Sequence, residues 1–125
     1  MYSWNASPTL KALVKALCGD FERRRRCIES ESVSRRVMME YVFINSKISD
    51  AASEICGEEL AQIFIKEIGE SVGYAKSEAY AIGEAAYKRY KVDVMKNVAK
   101  KLHLSDFSKN LRHRPFVTFF VFSLC

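Results

Sequence analysis

"GEAAYKRYKVDVMKNVAKKLHL", residues 83–104, decides how the chain is read. It opens on a glycine and continues without proline or a second glycine. At about 100° per residue, Tyr87, Tyr90, Val94, Val98 and Leu102 gather on one side of a helical wheel. Ala85, Arg89, Lys96 and Lys100 line the opposite side, and Lys88 and Lys91 fall on the flanks. The pattern predicts an amphipathic helix from Glu84 to about Leu104 whose polar face is cationic. A face of that kind is either the solvated outside of a bundle or a surface that meets a polyanion.

The stretches upstream carry the same helical period. Ser7-Pro8 reads as a helix start, since serine caps and proline suits the first helical position. Leu10, Leu13, Val14, Leu17, Phe21 and Ile28 then predict one helix that runs through Gly19 and ends in "ERRRRCIESES". A second helix is expected from about Val33 to Ile55, with Val37, Tyr41, Ile44, Ile48, Ala52 and Ile55 as its stripe and Gly57 closing it. "VMMEYVFIN" is apolar beyond one face, which predicts that this helix is the central, most buried one. A third opens at Glu58 with Leu60, Ile63, Phe64 and Ile68 facing in, and Gly73 breaks it. Ser77 then caps a short helix ending at Gly83. The tail, "SDFSKNLRHRPFVTFFVFSLC", fits nothing before it: Pro115 stops a helix, and seven of the ten residues after it are bulky and apolar. A strand, a hydrophobic flap and a frameshifted end all remain open for it.

Composition agrees with helices. The chain has 125 residues, 49% of them apolar, with 5 glycines and 2 prolines, too few for a β-protein built on tight turns. The expected fold is all-α with about five helices in one compact domain. Residues 1–57 would form an N-terminal helical hairpin, 58–104 a helix-turn-helix-like region and 105–125 an irregular apolar tail. Cys18, Cys27, Cys56 and Cys125 include no CxxC pair, and the histidines are only His103 and His113, so a zinc site is not expected. Neither is any other cofactor. With no basic-then-apolar leader in "MYSWNASPTLK" and no apolar run near the ~20 residues of a membrane span, a cytoplasmic protein without membrane contact is expected.

Charge is unevenly spread along the chain. Residues 1–36 carry 8 Lys+Arg against 4 acids, 37–83 carry 3 against 8, and 84–125 carry 9 against 3. A polyanion would therefore be met by the ends. The short capped helix, the glycine turn and the basic helix together make a helix-turn-helix layout, in which the second helix enters the major groove. Ala85 permits close approach, and Lys88, Arg89 and Lys91 sit where base and near-phosphate contacts are made. Lys96 and Lys100 lie further along, where such a helix meets backbone phosphates.

"GYAKSEAYAIGEAAYKRYKVDVMKNVAKKL", residues 73–102, resembles the C-terminal half of the small phage- and prophage-borne ArpU/RinA-like transcriptional regulators. That half is similar to region 4 of sigma factors. The matching run is Ile82-Gly83-Glu84-Ala85-Ala86-Tyr87, then Lys88-Arg89-Tyr90-Lys91, then Ala99-Lys100-Lys101-Leu102; Gly83 stands where the family has a capping serine and Ala86 where it has threonine. The resemblance, spread over about residues 37–104, implies a DNA-binding regulator of transcription that acts on double-stranded DNA. A homodimer would set two reading helices about 34 Å apart on successive half-sites.

Other constellations are weaker. "RRRR" at 23–26 has two readings: a site for phosphate or RNA polymerase, or the exposed end of a helix neutralised by Asp20, Glu22, Glu29 and Glu31. Tyr74, Tyr80, Tyr87 and Tyr90 are spaced for packing. Glu58/Glu59 and Glu67/Glu70 are expected on solvated faces, and no nucleophile elbow, phosphate loop or HExxH is present, so no enzyme is expected. The competing function is a non-catalytic helical adaptor or inhibitor that binds another protein through its Tyr/Val face and acidic middle.

Overall fold

Serine caps and glycine entries set where the helices begin. A computed structural model describes residues 4–104, and the expectations for the tail at 105–125 lie outside them. Five α-helices and two 3-10 turns, with no strand among the described residues, make an all-α fold. Helix α1 spans Pro8–Gly19; the Ser7 hydroxyl accepts from the Leu10 N–H at 3.1 Å, and Pro8 stands in the first turn. Helix α2 covers Phe21–Ser30, and α3 covers Arg35–Cys56, capped by Ser34 through the Val37 N–H at 3.3 Å. Helices α4 (Glu58–Glu70) and α5 (Glu84–Lys101) both start from a glycine, Gly57 and Gly83, at φ 82°. With ψ near 160° as well, that backbone is essentially open to glycine alone. Gly83 is thus required by the chain path, and a serine could not simply take its place as a cap.

The expected first helix is two. It breaks between Gly19 and Asp20, where the backbone leaves helical angles (φ −97°, ψ 3°). Gly19 faces Gly69 of α4, and the two helices cross with no side chain between them. A Cβ on Gly69 would run into the Gly19 backbone, 2.6 Å from its nitrogen, whereas one on Gly19 would meet Gly69 at an ordinary 3.5 Å. Gly69→Ala should therefore cost about 1–3 kcal/mol as α1 and α4 are pushed apart. Its Tm should fall by roughly 5–15 °C while that of Gly19→Ala stays close to wild type, which thermal unfolding of the pair would check.

Helix α3 is central: α2, α4 and α5 all pack on it, and α1 closes the other side against α4 and α5. Helix α2 packs on α3, while α1 packs chiefly on α4. Val14, Leu17, Ile44, Ile48, Phe64, Ile68, Val94, Val98 and Leu102 form one core with no exposure. Central position does not bury all of α3, however. Met39, Val42 and Phe43, from the stretch apolar on more than one face, stay exposed.

Candidate nucleic-acid interface

The expected wheel of α5 is largely realised. Tyr87, Val94, Val98 and Leu102 are buried, Tyr90 is half-buried, and Met95 and Ala99 widen the inward arc. Ala85, Lys88, Arg89 and Lys100 are exposed, and Lys96 is half-buried. Lys88 pairs with Glu84 at 3.0 Å, one turn back on the same surface. The Arg89 guanidinium lies 5.8 Å from the Tyr90 ring. Ala85, Arg89, Lys96 and Lys100 thus share an outward stripe, with Lys88 beside it.

Lys91 does not join them. It stands four residues after Tyr87 and four before Met95, in the row of two buried side chains. Its ammonium turns inward, donates to the Val72 carbonyl at 2.6 Å and lies 5.7 Å from the Tyr87 ring. Burial, and next the charge of Lys15, hold its pKa below the ordinary lysine value. Lys91 is a fastening between α5 and the chain leaving α4, not a groove contact.

The segment before α5 also differs from expectation. Where a helix from Ser77 to Gly83 is expected, there is only a 3-10 turn, Tyr80–Ile82, with a second, Tyr74–Lys76, just before Ser77. Ser77 is buried; its hydroxyl donates to Glu67 at 2.6 Å and accepts from the Ala79 N–H at 2.8 Å. Residues 71–83 form a connection much longer than the three or four residues of a helix-turn-helix turn. Helices α4 and α5 pack chiefly on α3 and only lightly on each other.

Glu67, expected on a solvated face, is the organiser of this connection. It is 2% exposed and accepts from Ser77, from the Glu78 N–H at 2.8 Å and from the Tyr87 hydroxyl at 2.9 Å. The signal was present in the period: Glu67 follows Leu60 by seven and Phe64 by three, which puts it on the inward face.

The far end of α5 is tied to α3. The Lys101 ammonium is ion-paired with Glu54, and the Asn97 amide donates to the Ala51 carbonyl at 3.0 Å and to Glu54 at 3.2 Å. The Lys101 bond, then that of Asn97, keeps the Glu54 carboxyl below its ordinary pKa. Lys47, Lys100, Lys101 and His103 surround a shallow hollow beside them.

The arginine run is mostly spent on the fold. Arg23 is held by Asp20, with Nε 2.6 Å from the carboxylate. Arg24 is buried, and Arg25, although exposed, is bound by Glu22 at 3.0 Å and Glu29 at 2.6 Å. Arg26 is exposed. Burial pushes the Cys18 thiol up to about 12, so it stays protonated and unreactive. Among the described residues no three His, Cys, Asp or Glu side chains group to hold a metal, and no helix is long and apolar enough to cross a membrane.

The described residues define an all-α protein in which α5 carries an outward cationic face. No family model, curated protein or solved structure matches the chain.

Proposed function

We propose that the protein binds double-stranded DNA through the outward face of α5 and acts in transcriptional control, as the likeness to phage regulators implies. The observation that carries this reading is the stripe of Arg89, Lys96 and Lys100, with Lys88 beside it, opposite the buried face of the same helix. Acids are sparse there: Glu84 at the start of α5 and Asp93 at the edge of the stripe. The helix, 18 residues or about 27 Å long, matches the reach of an element lying in a groove. Ala85 and Arg89 would approach base edges, and Lys96 and Lys100 the phosphates. Lys91 has no part in it. The arginine run adds little to this reading, because Arg23, Arg24 and Arg25 are ion-paired within the fold.

Fluorescence anisotropy across a salt series, with DNA flanking the gene and random duplex compared, tests the reading. Four neutralised phosphates would give a slope of log K against log salt of about −3.5. Arg89→Ala should cost about 1–3 kcal/mol on the preferred duplex and relax the preference, whereas Lys100→Ala should weaken both duplexes alike and flatten the slope by about one. Equal losses from both variants on both duplexes would refute that division. Absence of salt-dependent binding would return α5 to the role of a solvated outer helix. The adaptor reading, favoured by the exposed apolar residues of α3, would then stand.

A further inference from the structure

Helix α3 is apolar on two opposite sides. Tyr41, Ile44, Ile48 and Ala52 face the core. At about 100° per residue the opposite arc carries Arg35, Met39, Val42, Phe43, Ser46 and Asp50, and all six are exposed. Met39 is 66% exposed, Val42 47% and Phe43 39%. The outward side of a surface helix is ordinarily polar, so an apolar centre flanked by one cation and one anion marks a contact surface.

We infer that this arc is the interface of a homodimer in which α3 lies antiparallel against the partner's α3. The choice of a second copy rests on the order of the residues, which complements itself under a twofold axis. With the axis between Val42 and Phe43, Val42 meets the partner's Phe43 and Met39 the partner's Ser46. Arg35 then meets the partner's Asp50, and the symmetry repeats that charge pair at the other end. The placement of arginine supports this further. Arg35 and Arg36 occupy the first turn of α3, with no acid there, although the positive end of the helix dipole disfavours cations. The partner's Asp50 supplies the missing negative charge. An antiparallel pair of helices in contact from Arg35 to Asp50 buries on the order of 1,000 Å², the low end for a specific interface, which fits association at roughly micromolar concentration.

This surface lies on α3, not α5, so the dimer is independent of the nucleic-acid reading: a dimer that ignores DNA leaves it intact. Sedimentation velocity on the full chain over a concentration series is the test. Wild type should dimerise, and Arg35→Asp and Asp50→Arg should each lose at least about tenfold in dimer affinity, because each sets two like charges face to face. Mixed in equal amounts, the two variants should regain the dimer, since in the mixed pair both crossings again join opposite charges. Loss of folding cannot imitate rescue in trans. Wild type that stays monomeric at hundreds of micromolar, or variants that fail to rescue one another, would overturn the inference and leave the arc to residues 105–125 or to a different protein.

Discussion

Glu67→Ala should cost about 3–5 kcal/mol, a large share of the stability of a domain this size. The carboxylate is 2% exposed, and three donors converge on it: Ser77 Oγ at 2.6 Å, the Glu78 N–H at 2.8 Å and Tyr87 Oη at 2.9 Å. Alanine leaves the Ser77 and Glu78 donors without their acceptor, and Tyr87 keeps only its 3.0 Å contact with the Val72 carbonyl. The whole passage from α4 to α5 depends on these bonds, because its two 3-10 turns have little regular structure of their own. Glu67→Gln should fall between, at about 1–3 kcal/mol: the amide oxygen still accepts, but its NH2 opposes one of the donors. Guanidinium unfolding of the three proteins would rank them. Hydrogen exchange should quicken first at residues 74–82. An alanine variant within about 0.5 kcal/mol of wild type would mean that the connection is held by its apolar contacts alone.

Tyr87 adds a signature in pH. Burial, then its bond to Glu67, raises its hydroxyl from 10 to about 12. A group whose folded pKa is raised contributes stability that is full below its unfolded value and is lost as pH climbs through the folded one. Wild type should therefore weaken between pH 10 and about 12. In Glu67→Ala the Tyr87 titration should move back toward 10, and tyrosinate absorbance would follow it.

How much of this could be read from the chain depends on how local each determinant is. Ser7-Pro8, Gly57 and Gly83 mark helix starts by their own chemistry, and the helices begin there. The break at Gly19-Asp20 has local signs, since glycine weakens a helix and aspartate suits a helix start, but the close approach of Gly19 to Gly69, fifty residues further on, has none. Ser77 has the composition of a helix cap, yet its hydroxyl is claimed by a carboxylate ten residues earlier, and the helix is not formed. Lys91, expected on the flank, falls on the wheel between Val98 and Leu102, so its inward turn was legible in the period. Excess apolar residues in "VMMEYVFIN" correctly set α3 apart, but composition cannot say whether an apolar side chain is buried or displayed. For the candidate interface, the sequence already contained the stripe of Ala85, Arg89, Lys96 and Lys100. The fold removes Lys91 from it and shows that most of the arginine run is engaged elsewhere.

Arg24 offers the sharpest contrast between two substitutions at one position. It is 1% exposed, with Nε donating to the Asn45 side-chain oxygen at 2.7 Å and a terminal nitrogen donating to the Leu17 carbonyl. Its other nitrogen, Nη1, makes no hydrogen bond and lies 3.5 Å from the Asp20 carboxylate. Asn45 in turn donates to the Phe21 carbonyl at 3.1 Å, so this corner joins α1, α2 and α3. Arg24→Ala should cost about 3–5 kcal/mol, through a cavity and two abandoned acceptors. Arg24→Met should lie within about 1 kcal/mol of wild type, because it fills similar space without a charge to desolvate. The sign follows from titration: burial, only partly opposed by Asp20, pulls the arginine pKa down to about 10, well below its ordinary value. Burial therefore penalises the charged form, and that penalty is fully present below pH 10 and eases only above it. Methionine removes it at neutral pH, which offsets the lost hydrogen bonds. Denaturant unfolding of both variants decides the matter. If methionine proved as damaging as alanine, hydrogen bonds specific to the guanidinium, and not the volume it fills, would be what holds α1, α2 and α3 at this corner.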